Sequence, residues 1–261
     1  MNRIDNLFKN KPHRVLSVYF TAGYPHLTDT VPVIKALSDQ GADMIEIGVP
    51  FSDPVADGPV IQHSDTVALK NGMTLKKLIG QLKGIRQTTG VPLLLMSYLN
   101  PVLRYGMEAF CRDIATQGID GVIIPDLPPE EYIKEYKTLF TTHNLKNIFL
   151  VTPQTPGERI RFLDREGEGF LYVVSSRSTT GMKNSFSKEQ TSYFRHLREM
   201  NLTNKLLAGF GISNRTTFDQ ACRYLNGAIV GSAYIKALKQ KDDPASVTRS
   251  FIRELKGENT A

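Results

Sequence analysis

Glu46 and Asp57 are the side chains in this sequence whose type and setting best suit proton transfer. Glu46 interrupts a short apolar run, Met44, Ile45 and Ile47, that reads as a buried parallel strand. A carboxylate at such a position is costly unless it is paired or put to use. The run breaks at Gly48 and Pro50 into a loop that carries Asp53 and Asp57. Pro50, Pro54, Gly58 and Pro59 restrict that loop, so it is able to hold Asp57 in a fixed place. One carboxylate on a strand and one on the following loop can keep different pKa values and divide acid and base work. Plainer readings stand beside these. The plainer alternative for Glu46 is half of a buried ion pair, and for Asp57 a turn residue of Asp-Gly-Pro. Asp53, in Ser-Asp-Pro, reads as a turn or surface contact, and Tyr172 as a core tyrosine.

A second group of residues suits an anion. Gly181, the pair Gly209 and Gly211, and Gly231 with Ser232 all fall in loops late in the chain. Glycines let backbone N–H groups approach a phosphate, and a helix start adds partial positive charge. Their alternative is the ordinary one of tight turns and helix caps. Other chemistries lack residues. The five histidines are dispersed with no His-x-x-x-His pair, which speaks against a metal site. No Gly-x-Ser-x-Gly elbow points to an acyl-enzyme. Lys35 and Lys205 do not fall at strand C-termini, where a Schiff-base lysine would be expected.

The elements that must position these groups follow a regular cadence. An amphipathic stretch, Asn2 to Lys9, is suited to plug the bottom of a barrel. Strands are expected at 15–20, 44–47, 91–96, 121–124, 147–151, 169–175, 205–208 and 227–230. Helical patterns alternate with them. Thr74 caps the clearest, with Leu75, Leu78, Ile79, Leu82 and Ile85 at helical spacing. Ser187 and Gln190 form a capping-box pattern after the loop Ser176 to Ser187. Asn100 and Pro101 fall in the loop after the third strand, and a last helix runs from Pro244 to Leu255. Eight strands alternating with helices predict a (β/α)8 TIM barrel with an additional N-terminal helix, one domain over residues 1–261. An open doubly wound sheet is the alternative, disfavoured because no Gly-x-Gly-x-x-Gly follows the first strand. In a barrel the loops after the strands share one face, and those after strands seven and eight commonly hold phosphate.

Composition agrees. The 261 residues are 41% hydrophobic and 22% charged, as in a soluble globular chain. No run approaches the roughly 18 apolar residues of a membrane span, and the N-terminus lacks a signal-peptide core. Cys111 and Cys222 lie on separate helices and read as reduced thiols, so a cytoplasmic location is expected. The net charge of +6 is scattered and fits an anionic small molecule better than nucleic acid.

The segment 45–59, Ile-Glu-Ile-Gly-Val-Pro-Phe-Ser-Asp-Pro-Val-Ala-Asp-Gly-Pro, closely resembles the signature of the tryptophan synthase α subunit family. The resemblance extends over nearly the whole chain, through Asn6-Leu-Phe8, Phe20-Thr-Ala-Gly23, Pro125-Asp-Leu-Pro128, Tyr172-Val-Val-Ser-Ser176, Ser178-Thr-Thr-Gly181, Gly209-Phe-Gly-Ile-Ser213 and Gly231-Ser232. It implies retro-aldol cleavage of indole-3-glycerol phosphate to indole and glyceraldehyde 3-phosphate. It implies Glu46 as acid and base, Asp57 as the second carboxylate, and Tyr172 in the site. Thr180 and Gly181 match a lid; Gly181, Gly211, Gly231 and Ser232 match a phosphate cradle. Phe210, Tyr19 and Tyr98 are expected to flank the indole ring. The resemblance also implies an α2β2 heterotetramer, with Pro50, Asp53, Asn100 and Pro101 towards a β subunit. That subunit would hold pyridoxal phosphate and receive the indole; this chain would need no cofactor. Arg177 in the lid and Tyr19 and Tyr24, where some members have Phe and Asp, are small departures. Two other functions compete: a sugar-phosphate epimerase or isomerase, which usually needs a metal or lysine not found here, and a non-catalytic activator of a β partner, against which both carboxylates argue.

Overall fold

A computed structural model describes residues 1–175, 185–239 and 243–257. Its nine strands are β1 (Val15–Thr21), β2 (Met44–Gly48), β3 (Leu93–Met96), β4 (Gly121–Ile123), β5 (Lys146–Asn147), β6 (Phe149–Val151), β7 (Phe170–Val174), β8 (Lys205–Gly209) and β9 (Gly227–Val230). All pairings are parallel, in the order β5-β4-β3-β2-β1-β9-β8-β7-β6. β5 and β6 are two halves of the predicted fifth strand. Lys146 and Asn147 pair with β4, Phe149 to Val151 pair with β7, and only Ile148 lies between. One stave therefore joins both edges and nearly closes the barrel.

The strands are buried almost throughout because helices cover one face and the barrel interior the other. Near the mouth, glycine makes room for tyrosine. A Cβ at Gly48 of β2 would collide with the Tyr19 phenol, and one at Gly209 of β8 with the Tyr172 phenol. The two rings thus fill the interior where β2 and β8 present no side chains.

The N-terminal helix, Arg3–Asn10, does plug the barrel bottom. Asn2 caps it, its side chain accepting from the Ile4 N–H, and its amide donates to the Asp120 and Asn144 carbonyls at 2.8 Å each. Ile4 is fully buried and its Cδ1 lies 3.1 Å from where a Cβ on Gly121 would stand. Burying that side chain contributes about 2 kcal/mol.

Two local expectations need correction. The helix capped by Thr74 stops at Gln81, and Gly84 at φ +77° turns the chain so that Ile85 falls in a separate 3-10 turn, Ile85–Gln87. Asn100 and Pro101 are not in a loop but in the first turn of a helix, Leu99–Tyr105, where proline's missing N–H costs nothing. The helix beginning at Pro129 widens into a π segment at Tyr132–Tyr136 before continuing as Lys137–Thr142. The Ser187–Gln190 capping box has both of its hydrogen bonds. No helix among the described residues is long and apolar enough to cross a membrane.

Candidate active site

A cavity of about 360 Å³ opens at the C-terminal ends of the strands. Its barrel side is made by Tyr19 of β1, Met96 of β3, Tyr172 of β7 and Ile229 of β9, with Asp57 on the rim. Its other end is made by Phe210, Gly211 and Ser213 after β8, and Gly231, Ser232 and Lys236 after β9. The strand-loop logic thus brings Tyr19, Asp57, Tyr172, Phe210, Gly211, Gly231 and Ser232 together. Thr180 and Gly181 lie outside the described residues, as do Ser176 and Arg177.

Glu46 stands opposite Tyr19 in the β1–β2 register and opposite Leu94 on β3. It is fully buried and is not itself in the cavity wall. Ser17 Oγ donates to its Oε1 at 2.7 Å, while Oε2 is buried without a hydrogen-bond partner. The carboxylate is therefore drawn one layer below Tyr19. Ile229, the register partner of Ser17, lines the cavity, so the void is one strand away. No basic side chain pairs with Glu46 among the described residues, which removes the ion-pair alternative. Burial pushes its carboxyl up to about 7, against the pull of the Ser17 hydroxyl.

Asp57 is held by the loop and by Tyr98. The Tyr98 hydroxyl donates to Asp57 Oδ2 at 2.8 Å and accepts from the Ala56 N–H at 2.9 Å. Tyr98 in turn stacks on Phe51, ring centroids 5.1 Å apart. Tyr98 is thus not in the cavity wall beside the other aromatics but behind Asp57. Burial raises the Asp57 carboxyl and the Tyr98 hydrogen bond lowers it part of the way back.

At the glycine end, Phe210 sits at φ +66° and Gly211 at φ +77°. A left-handed phenylalanine costs about 1–2 kcal/mol. The turn is fixed by Ser175, whose Oγ donates to the Phe210 carbonyl at 2.6 Å. The turn sets the Phe210 ring edge-on to Tyr172, centroids 6.3 Å apart. Among the described residues Ser213 Oγ is buried with no hydrogen-bond partner, and Ser213 belongs to this wall of the cavity. Lys236, on the helix Ser232–Leu238, has no ion-pair partner among the described residues. Sequence reasoning missed both, as well as Ser17. A lone serine inside the apolar run Val15–Phe20 was the available signal for Ser17; Lys236 carried none.

Pro50 is buried in this chain, whereas Asp53 and Asn100 are exposed. The Ser52 hydroxyl donates to the Asp53 carboxylate. Among the described residues no group of three or more His, Cys, Asp or Glu is gathered to hold a metal.

A family model described as tryptophan synthase alpha chain matches residues 6–260. The chain belongs to that family. Tryptophan synthase alpha chains from Parabacteroides distasonis and Flavobacterium psychrophilum are 50% and 52% identical to it, each alignment covering 98% of this chain and all of the relative. Among solved structures, the tryptophan synthase alpha chain from Legionella pneumophila superimposes with a TM-score of 0.87 at 32% identity, covering 98% of this chain and 97% of the other. A chain of the tryptophan synthase complex from Pyrococcus furiosus gives 0.84 at 34% identity, covering 93% and 98%. Membership makes this chain a carbon–carbon lyase of tryptophan biosynthesis that cleaves indole-3-glycerol phosphate to indole and glyceraldehyde 3-phosphate.

Proposed function

We propose that residues 1–261 act as one barrel domain whose mouth binds indole-3-glycerol phosphate with its ring between Tyr19, Tyr172 and Phe210. The phosphate would lie against Gly211, Gly231 and Ser232, with Gly181 and Thr180 closing over it. Ser213 Oγ, which lacks a partner, and the cation of Lys236 supply a further donor and a charge at that end.

Cleavage of the bond between indole C3 and the glycerol chain needs C3 to become an electron sink. In this reading protonated Glu46 delivers a proton to C3, leaving an iminium at the ring nitrogen. Ionised Asp57 accepts the N–H bond and stabilises that positive charge. The Glu46 carboxylate then takes the proton from the glycerol hydroxyl. As that O–H bond breaks, the aldehyde forms, the carbon–carbon pair returns to the ring, and Glu46 is protonated again. A carboxyl near 7 is balanced for both directions at neutral pH. The observation that carries the reading is Glu46: buried and, among the described residues, free of any basic partner and with Oε2 unpartnered. Because Ser17 draws the carboxylate below Tyr19, reaching C3 requires the Ser17 bond to be released.

The partner of this site is a tryptophan synthase β subunit in an α2β2 assembly, holding pyridoxal phosphate and receiving indole. Val55, 87% exposed, and Leu103, 48% exposed, flank Asp53 and the Asn100–Pro101 turn and supply apolar area for such a contact. Pro50 would shape that loop from beneath. Indole release from purified protein with indole-3-glycerol phosphate, with and without added β subunit, tests the proposal. Slow release alone and faster release with the partner is expected; no release in either condition overturns it.

A further inference from the structure

Two side chains of the helix Pro59–Lys70, Gln62 and Asp65, have no part in the site described above, and each reaches back to the loop that carries Asp57. Gln62 faces solvent, but its side-chain N–H donates to the Asp57 carbonyl at 2.8 Å. Asp65 is 3% exposed, and its carboxylate accepts from the Phe51 N–H. The two stand three residues apart and so share a helix face. Their contacts close into a ring. Asp65 holds the Phe51 backbone, the Phe51 ring stacks on Tyr98, the Tyr98 hydroxyl holds the Asp57 carboxylate, and Gln62 holds the Asp57 carbonyl. The loop's own support for Asp57 is weaker: its N–H donates to the Pro54 carbonyl at 3.4 Å. The helix is in turn pinned to the end of β1, where Thr21 Oγ1 lies 2.7 Å from Ser64 Oγ and 3.4 Å from Asp65 Oδ1.

We propose that Gln62 and Asp65 are positioning residues, a two-point clamp that holds the loop against the helix and fixes the Asp57 carboxylate where the substrate ring nitrogen lies. The proposal rests on the role given to Asp57. Neither residue lines the cavity, so both act through Asp57. Gln62 acts directly, on the Asp57 backbone. Asp65 acts at the start of the loop, through Phe51 and the Tyr98 ring that packs on it. Charge stabilisation depends steeply on where the carboxylate stands, and a displacement of about 1 Å can cost up to about 10²-fold in rate.

A double-substitution cycle on kcat tests it, using indole release by the full chain with the β subunit added. Gln62→Met keeps the bulk of an exposed side chain and removes the donor. It should lower kcat about three- to tenfold with KM nearly unchanged. In an Asp57→Asn background the charge to be positioned is gone, and the same substitution should cost less than about twofold. Asp65→Leu should lose about tenfold or more, and Asp65→Asn, which keeps an acceptor for the Phe51 N–H, should recover most of that loss. Equal losses from Gln62→Met in both backgrounds would mark a merely structural role and overturn the proposal. So would Gln62→Met at full rate beside a slow Asp57→Asn, which leaves the role of Asp57 standing. If Asp65→Leu does not fold, the Gln62 cycle still decides. Asp57→Asn at full rate overturns the role of Asp57 and the clamp with it.

Discussion

Ser17 and Glu46 form a one-sided grip: the serine hydroxyl holds Oε1 at 2.7 Å while Oε2 has no partner among the described residues. The bond favours the charged carboxylate, burial the neutral one, and burial wins. Ser17→Ala should therefore move the Glu46 pKa further up, by about one unit. Because the first step uses the protonated acid, the alkaline limb of kcat/KM should shift to higher pH by the same amount. A pH–rate profile showing the limb unmoved, or moved down, would contradict the role of Ser17.

The same residue makes stability pH-dependent. The folded-state pKa of Glu46 is raised from 4.5 to about 7, so the folded state binds its proton more tightly than the unfolded chain. Its contribution is fully present below about pH 4.5 and is lost as pH rises through 7. Glu46→Gln removes this penalty. Denaturant unfolding should show the variant gaining on the unsubstituted protein by up to about 3 kcal/mol between pH 5 and pH 8.5. A difference that does not change with pH would mean that Glu46 does not titrate in this range.

Tyr98 braces Asp57 through its hydroxyl. Tyr98→Phe keeps the stacking on Phe51 and deletes both hydroxyl contacts. Asp57 then loses the bond that lowers its pKa, so the acid limb of kcat/KM should move to higher pH. A charge-assisted bond of about 1.5–3 kcal/mol sets the loss in kcat at roughly tenfold or more. Kinetics between pH 4.5 and 7 check it; an unshifted acid limb would separate Tyr98 from Asp57.

Lys236 should act on the phosphate rather than on the chemistry. Lys236→Met is expected to raise KM for indole-3-glycerol phosphate roughly 5- to 20-fold with little change in kcat, and the difference should shrink in high salt. Cleavage of the unphosphorylated indole glycerol should not respond. Equal effects on both substrates would show that Lys236 supports the fold and not the anion.

The cadence of strands, the N-terminal plug and the burial of a carboxylate at Glu46 were legible because each rests on local pattern: apolar runs, caps, and a charge where none is cheap. What was not legible depends on distant partners. Nothing in the sequence around Ile148 says that its flanking residues pair with β4 on one side and β7 on the other. Pro101 read as a loop residue because proline marks breaks more often than first turns. Ile85 continued the helical spacing, and only the left-handed Gly84 shows that the helix had already ended. The hydrogen bonds of Tyr98 to the Asp57 loop join segments about forty residues apart, which aromatic type alone does not show.

The most direct test is the steady-state rate of indole release from indole-3-glycerol phosphate by Glu46→Gln. Glutamine keeps the size and the Ser17 contact but cannot pass a proton. A loss of about 10²–10⁴ in kcat is expected, with KM close to that of the unsubstituted protein. Turnover within a few-fold of the unsubstituted protein would mean that another group moves the proton.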